Sequence, residues 1–114
     1  MESGLTGLDQ FRFAILGAGR LGAVLADELL SNDSAAYVPV CYIDQDPTKT
    51  SREVMGLPVL PEGEDGLEDL KDYGVQEIVF AITNIINTKK DTLFKLYKAA
   101  GYKVKVVKSC VVAV

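Results

Sequence analysis

Three glycines stand at positions 17, 19 and 22 of the 114-residue chain, inside the stretch AILGAGRLGAVL at residues 14–25. Their spacing fits G-x-G-x-x-G, a pattern that turns backbone N–H groups at the start of a helix toward an anionic phosphate. Gly17 permits the tight turn, and Ala18 follows it. Gly19 lets a pyrophosphate approach the backbone with no Cβ in the way, and Gly22 lets the next helix lie close to the sheet. The N–H groups around Gly19, Arg20 and Leu21 then point at the anion, assisted by the helix dipole. The Arg20 side chain either reaches a phosphate or sits in solvent.

Asp44 lies 27 residues beyond Gly17, at the end of the next apolar run. An ionised carboxylate is an acceptor-only group, suited to two ribose hydroxyls, and Gln45 beside it joins the candidate site. A carboxylate there repels a 2′-phosphate and favours NAD over NADP, although Lys49 and Arg52 stand near enough in sequence to weaken that preference. Thr83 and Asn84 follow a later apolar run, on the side where open α/β sheets bind ligands. They either line the far half of the site or serve a turn and a helix cap.

The residues that chemistry would need are missing. The chain has no histidine, which removes the commonest general base and the commonest metal ligand together. No G-x-S-x-G and no Tyr-x-x-x-Lys occurs, and Cys41 and Cys110 form no C-x-x-C pair. Cys41, within an apolar run at residues 38–43, reads as a small buried hydrophobe. Binding without turnover is the plain reading.

The elements that position these residues follow from periodicity. Residues 11–16 form a short apolar run ended by Gly17, the profile of a buried strand. From Gly19 onward Leu21, Val24, Leu25 and Leu29 recur at helical spacing, until a turn-rich cluster at residues 31–34. A second strand covers residues 37–43, with Pro39 near its start. Residues 45–66 are rich in Pro and Gly and are read as a loop, with one turn near residues 50–54 and a short strand at 57–60. A short helix over 67–73, closed by Gly74, leads to a buried strand at 77–82. Thr88 with Asp91 resembles a capping box for a helix carrying Leu93, Leu96, Tyr97 and Ala100, with Lys89, Lys90, Lys95 and Lys98 facing water. Residues 103–107 complete the set as a last strand.

Strands alternating with helices imply an α/β protein with a doubly wound parallel sheet, and right-handed crossovers favour the order 3-2-1-4-5. Residues 1–10 read as a leader or linker and 11–114 as one nucleotide-binding domain. The net charge of −4 offers no positive field for nucleic acid, and no apolar run approaches the ~20 residues of a membrane-spanning helix.

The stretches FRFAILGAGRLGAVLADELL, VPVCYIDQDPTKTSREVMGLPVL, GVQEIVFAIT and AAGYKVKVVKS together resemble the Rossmann-like "CoA-binding" domain of bacterial polysaccharide-biosynthesis proteins, the membrane-anchored nucleoside-diphosphate-sugar epimerase/dehydratases. The resemblance covers residues 11–109. Its most specific part is Ile-Asp-x-Asp-Pro leading into Met-Gly-Leu-Pro-Val. It implies a non-catalytic module on the cytoplasmic side of the bacterial inner membrane, with transmembrane and catalytic domains of the parent chain as neighbours. Gly17, Gly19, Gly22 and Asp44 match the family's binding pattern. The implied ligand is NAD, with CoA or a UDP-sugar as alternatives, and homo-oligomers are open. Lys108 departs from the proline expected before Ser109. NAD-binding domains of Rex-type redox repressors are similar too, and the nucleotide domain of potassium transporters shares the glycine turn and Asp44.

Overall fold

The computed structural model describes residues 11–31, 37–46, 48–50, 52–81 and 87–106. In chain order the elements are β1 (Phe11–Leu16), α1 (Arg20–Leu30), β2 (Tyr37–Asp44), β3 (Glu53–Val54), β4 (Leu57–Pro61), a 3-10 turn (Glu64–Gly66), α2 (Leu67–Asp72), β5 (Glu77–Phe80), α3 (Asn87–Ala99) and β6 (Lys103–Val106). The sheet order is β3-β4-β2-β1-β5-β6. Every pairing is parallel except β3 with β4.

With the two-residue β3 set aside, the five parallel strands stand in the order expected from right-handed crossovers. β3 is the departure. It replaces the turn expected over residues 50–54, because Met55 and Gly56 both take positive φ (55° and 79°) and reverse the chain in two residues. Paired positive φ values match the twist of adjoining antiparallel strands, so Glu53 and Val54 pair back onto Pro58 and Leu57. Pro39 of β2 sits at a register irregularity, where Phe13 faces Pro39 and Ala14 faces Cys41. The bulge accommodates a residue that has no N–H for the ladder.

Strands buried on both faces explain the continuous apolar runs. One face of the sheet packs Leu16, Cys41, Ile43, Ile78 and Phe80 against Leu70 of α2 and Leu93 and Tyr97 of α3. The other packs Phe13, Ile15, Tyr42, Val59 and Val79 against Ala26 of α1, with Leu21, Leu25 and Leu29 alongside. Each large apolar side chain buried this way stabilises the fold by about 1.5–3 kcal/mol relative to exposure.

α1 sits on the sheet through its smallest residues, Gly22 and Ala26. That choice of face turns Val24, expected on the apolar stripe, out to 53% exposure. α3 begins at Asn87, one residue before Thr88, so Thr88 lies inside the first turn and the expected capping box with Asp91 is not its role. Its carbonyl instead accepts the Thr92 hydroxyl at 2.9 Å. α2 ends as expected, with Gly74 at φ 69° and Val75 N–H returning to the Leu70 carbonyl.

Candidate functional site

The register that pairs Leu16 with Ile43 brings the ends of β1 and β2 side by side at the carboxyl edge of the sheet. The glycine turn starts from there. Gly17 takes φ 117°, a conformation that strains any residue with a Cβ, and its N–H donates to the Ile43 carbonyl at 2.7 Å. A Cβ at Gly22 would lie 2.0 Å from the Gly17 carbonyl oxygen, so only hydrogen fits where α1 passes the turn.

Gly19 differs from both. Its φ of −91° is ordinary, and a Cβ built there meets nothing within 4 Å. Neither backbone strain nor packing among the described residues demands glycine at this position. What a Cβ would fill is open space above the first turn of α1. Gly19 is the N-cap of that helix, has no side chain to cap it, and no acidic residue stands in the first turn. The positive end of the α1 dipole is therefore left without a negative charge of its own, in contrast to α2, whose first turn holds Glu68 and Asp69. An anion held by the N–H groups of this turn fits both the space and the field. Gly17 and Ala18 are buried, Gly19 and the Arg20 side chain are exposed at the rim, Leu21 is half-buried, and Gly22 is buried.

Asp44 closes the other side. Its Oδ2 accepts the Ala18 N–H at 2.8 Å, and its Oδ1 accepts the Asp46 N–H at 2.9 Å. The carboxylate thus pins the glycine turn to the end of β2, a task that sequence spacing alone does not show. A carboxylate has about four lone-pair sites, so ribose hydroxyls can still be accepted. Lys49 Nζ lies 4.0 Å from Oδ2. Asp46 in turn accepts both the N–H and the hydroxyl of Thr48, and these two bonds hold its carboxyl below the usual range.

Three further polar groups meet next to Asp44. Gln45 follows it, and its Oε1 accepts the Lys89 ammonium. Lys89, in the first turn of α3, also reaches Glu62 Oε1 at 3.4 Å, and the Glu62 side chain is only 12% exposed. Lys89 was expected to face water with the other lysines of its helix. It is 34% exposed and only partly in water, because α3 starts at the carboxyl edge and aims that position across to the ends of β2 and β4. The adjoining Gly63 N–H donates to the Tyr97 hydroxyl at 3.0 Å. Burial, opposed by that bond, pushes Tyr97 up to about 12.

Thr83 and Asn84 lie outside the described residues. Among the described residues, no three His, Cys, Asp or Glu side chains form a group that could hold a metal, and no helix is long and apolar enough to cross a membrane. Burial, with a smaller contribution from Asp69, raises the Cys41 thiol to about 12, far from a nucleophile's range.

No protein-family model matches the chain. Over 95 residues it is 33% identical to the probable polysaccharide biosynthesis protein EpsC of Bacillus subtilis, a match spanning 83% of this chain and 16% of that relative. It also superposes on the UDP-D-quinovosamine 4-dehydrogenase of Vibrio fischeri with a TM-score of 0.79 at 19% identity, covering 91% of this chain and 85% of that one. The chain is a Rossmann-like domain, similar over most of its length to a segment that makes up 16% of a polysaccharide-biosynthesis protein. The Rex-family repressor RSP, in its complex with β-NADH, shares the fold of this Rossmann-like domain with a TM-score of 0.69 at 14% identity, over 97% of this chain and 60% of that one. A perosamine N-acetyltransferase of Caulobacter crescentus, solved with CoA and GDP-perosamine, gives 0.58 at 24% identity, over 81% of this chain and 39% of that one.

Proposed function

We propose that this Rossmann-like domain is a non-catalytic nucleotide-binding module of a nucleoside-diphosphate-sugar epimerase/dehydratase, and that it takes NAD or a chemically related nucleotide. The observation that carries the reading is Gly19, a glycine that neither its φ nor any described residue requires, at the uncapped start of α1 and beside the Ala18 N–H that Asp44 accepts. The N–H groups of Gly19, Arg20 and Leu21 hold the diphosphate, and Asp44 accepts the ribose hydroxyls while it fixes the turn. A UDP-sugar presents the same diphosphate and ribose diol, and CoA the same diphosphate on a ribose whose 3′-hydroxyl is phosphorylated, so both belong in the same test. In the parent protein the module works beside catalytic and transmembrane domains, on the cytoplasmic face of the bacterial inner membrane.

A thermal-shift screen against NAD, NADH, NADP, CoA and UDP-N-acetylglucosamine tests the reading. A ligand at about 100 times its Kd adds about 2.7 kcal/mol to stability, which raises Tm by on the order of 10 °C in a domain of this size. A shift with one compound supports the reading and names the ligand. No shift with any of them sinks it.

A further inference from the structure

The two faces of the sheet are covered unequally. α2 and α3 pack on one face through Leu70, Leu93 and Tyr97, and among the described residues α1 is the one helix on the other, over β1 and β2. The register of Phe13 with Glu77 and of Glu77 with Lys103 turns Glu77, Lys103 and Lys105 to the side of α1. Lys103 Nζ lies 5.7 Å from the centre of the Phe11 ring. Lys105 Nζ lies 4.9 Å from the centre of the Tyr37 ring and 3.9 Å from Oε2 of Glu77, a carboxylate only 3% exposed. Rings and carboxylate thus hold two cations over β5 and β6, the half of this face that no described helix covers. α1 turns the opposite character outward, with Val24, Asp27, Glu28 and Leu30 all exposed.

We infer that this face is a dimerisation surface, on which α1 of one copy packs against the β5–β6 strip of a second copy of the chain. The acidic and apolar helix and the basic and aromatic strip lie side by side in one molecule, and a two-fold rotation brings each onto its counterpart in the partner. Asp27 and Glu28 then meet Lys103 and Lys105 twice over, and Val24 and Leu30 leave water against a strip that carries the exposed Tyr37 ring. The lengths agree, since the 11 residues of α1 span about 16 Å and the 4 residues of β6 about 13 Å. An ammonium has three donors, so Lys105 keeps Glu77 while it donates to a carboxylate of the other copy. An unrelated acidic helix would satisfy the lysines and leave the outward stripe of α1 unpaired. A second copy satisfies both.

Sedimentation velocity of the intact chain, from micromolar to millimolar concentration, is the test. The wild type should form a dimer whose share rises with concentration. Lys103→Glu with Lys105→Glu, and Asp27→Lys with Glu28→Lys, should each weaken it about tenfold or more, because each pair makes helix and strip alike in charge. An equimolar mixture of the two double variants should restore a dimer, now with one copy of each. Lys95→Glu with Lys98→Glu reverses the same charge on the exposed side of α3 and should leave the dimer unchanged. Circular dichroism checks the fold of each variant. Val24→Asp, which alters an exposed side chain and should weaken the dimer likewise, replaces the lysine pair if loss of Lys105 over Glu77 unfolds it. A wild type that stays monomeric throughout overturns the surface. So does a dimer that the α1 and β6 variants leave intact, one that the α3 variant weakens equally, or a pair of folded double variants that fail to associate on mixing.

Discussion

Replacing Gly22 with alanine tests whether the glycines of the turn divide their labour as the geometry says. The new Cβ would lie 2.0 Å from the Gly17 carbonyl oxygen and 3.1 Å from Ile15 Cγ2. The first of these is backbone, so no rotamer change relieves it, and α1 must retreat by about 1 Å from a close-packed sheet. Overpacking costs about 1–3 kcal/mol, and a backbone clash belongs at the upper end. The higher helix propensity of alanine returns about 1 kcal/mol. The net loss of about 2 kcal/mol lowers Tm by roughly 10 °C. Gly19→Ala is the control, because nothing lies within 4 Å of its Cβ and its φ is −91°. Loss of unfolded-state freedom leaves that variant as stable as the wild type, or more stable by about 0.4–1 kcal/mol. Thermal and urea unfolding followed by circular dichroism measure both. An unchanged Tm for Gly22→Ala, or an equal loss in Gly19→Ala, would refute the reasoning.

Asp44→Ala removes two charge-assisted bonds to backbone N–H groups and destabilises the free protein by about 2 kcal/mol, measured by urea unfolding. Hydrogen exchange should speed up at Ala18 and Asp46, and a variant that unfolds like the wild type would show that the clamp carries no energy. The stability of the fold should fall above pH 9. Cys41 and Tyr97 keep their protons up to about 12 when folded, whereas the unfolded chain releases them near their ordinary values of 9.0 and 10.0. The unfolded state then binds fewer protons, so each group costs about 1.4 kcal/mol per pH unit in that window. Tm against pH should steepen near pH 10, and a Cys41→Ala variant whose slope between pH 9 and 10 matched the wild type would contradict this account. Met55→Asn should stabilise by about 0.5–1 kcal/mol, since Asn tolerates the left-handed conformation that Met55 adopts at φ 55°. A lower melting temperature for that variant would show that Met55 makes a contact worth more than the strain.

Much of the sheet was legible because burial on both faces leaves an unbroken apolar run, as in β1 and β5. The order of the parallel strands then followed from the handedness of crossovers. The glycine turn was legible because Gly17 and Gly22 answer local steric demands and Gly19 completes their spacing. Contacts between elements were not. That Asp44 holds the Ala18 N–H depends on the register of β1 on β2, and no spacing encodes it. Tyr97 was correctly placed on the apolar stripe of α3, yet its hydroxyl partner, Gly63, is 34 residues away in sequence. Lys89 was assigned to water because helical periodicity reports which way a residue faces, and not what another strand end brings to that position. β3 escaped notice because Met-Gly is a poor signal for a two-residue hairpin, and Val24 because Gly22 and Ala26, too small to register as apolar, define the buried face of α1.

On the proposed function, the open space at Gly19 belongs to a nucleotide diphosphate. Its most direct test is titration calorimetry of the thermal-shift ligand into wild type and Gly19→Val. The wild type should bind with micromolar or tighter affinity and the variant about a hundredfold or more weakly, with Tm of the free protein held. Equal affinity in the two proteins would contradict it, since a ligand indifferent to a side chain at Gly19 does not lie in the turn.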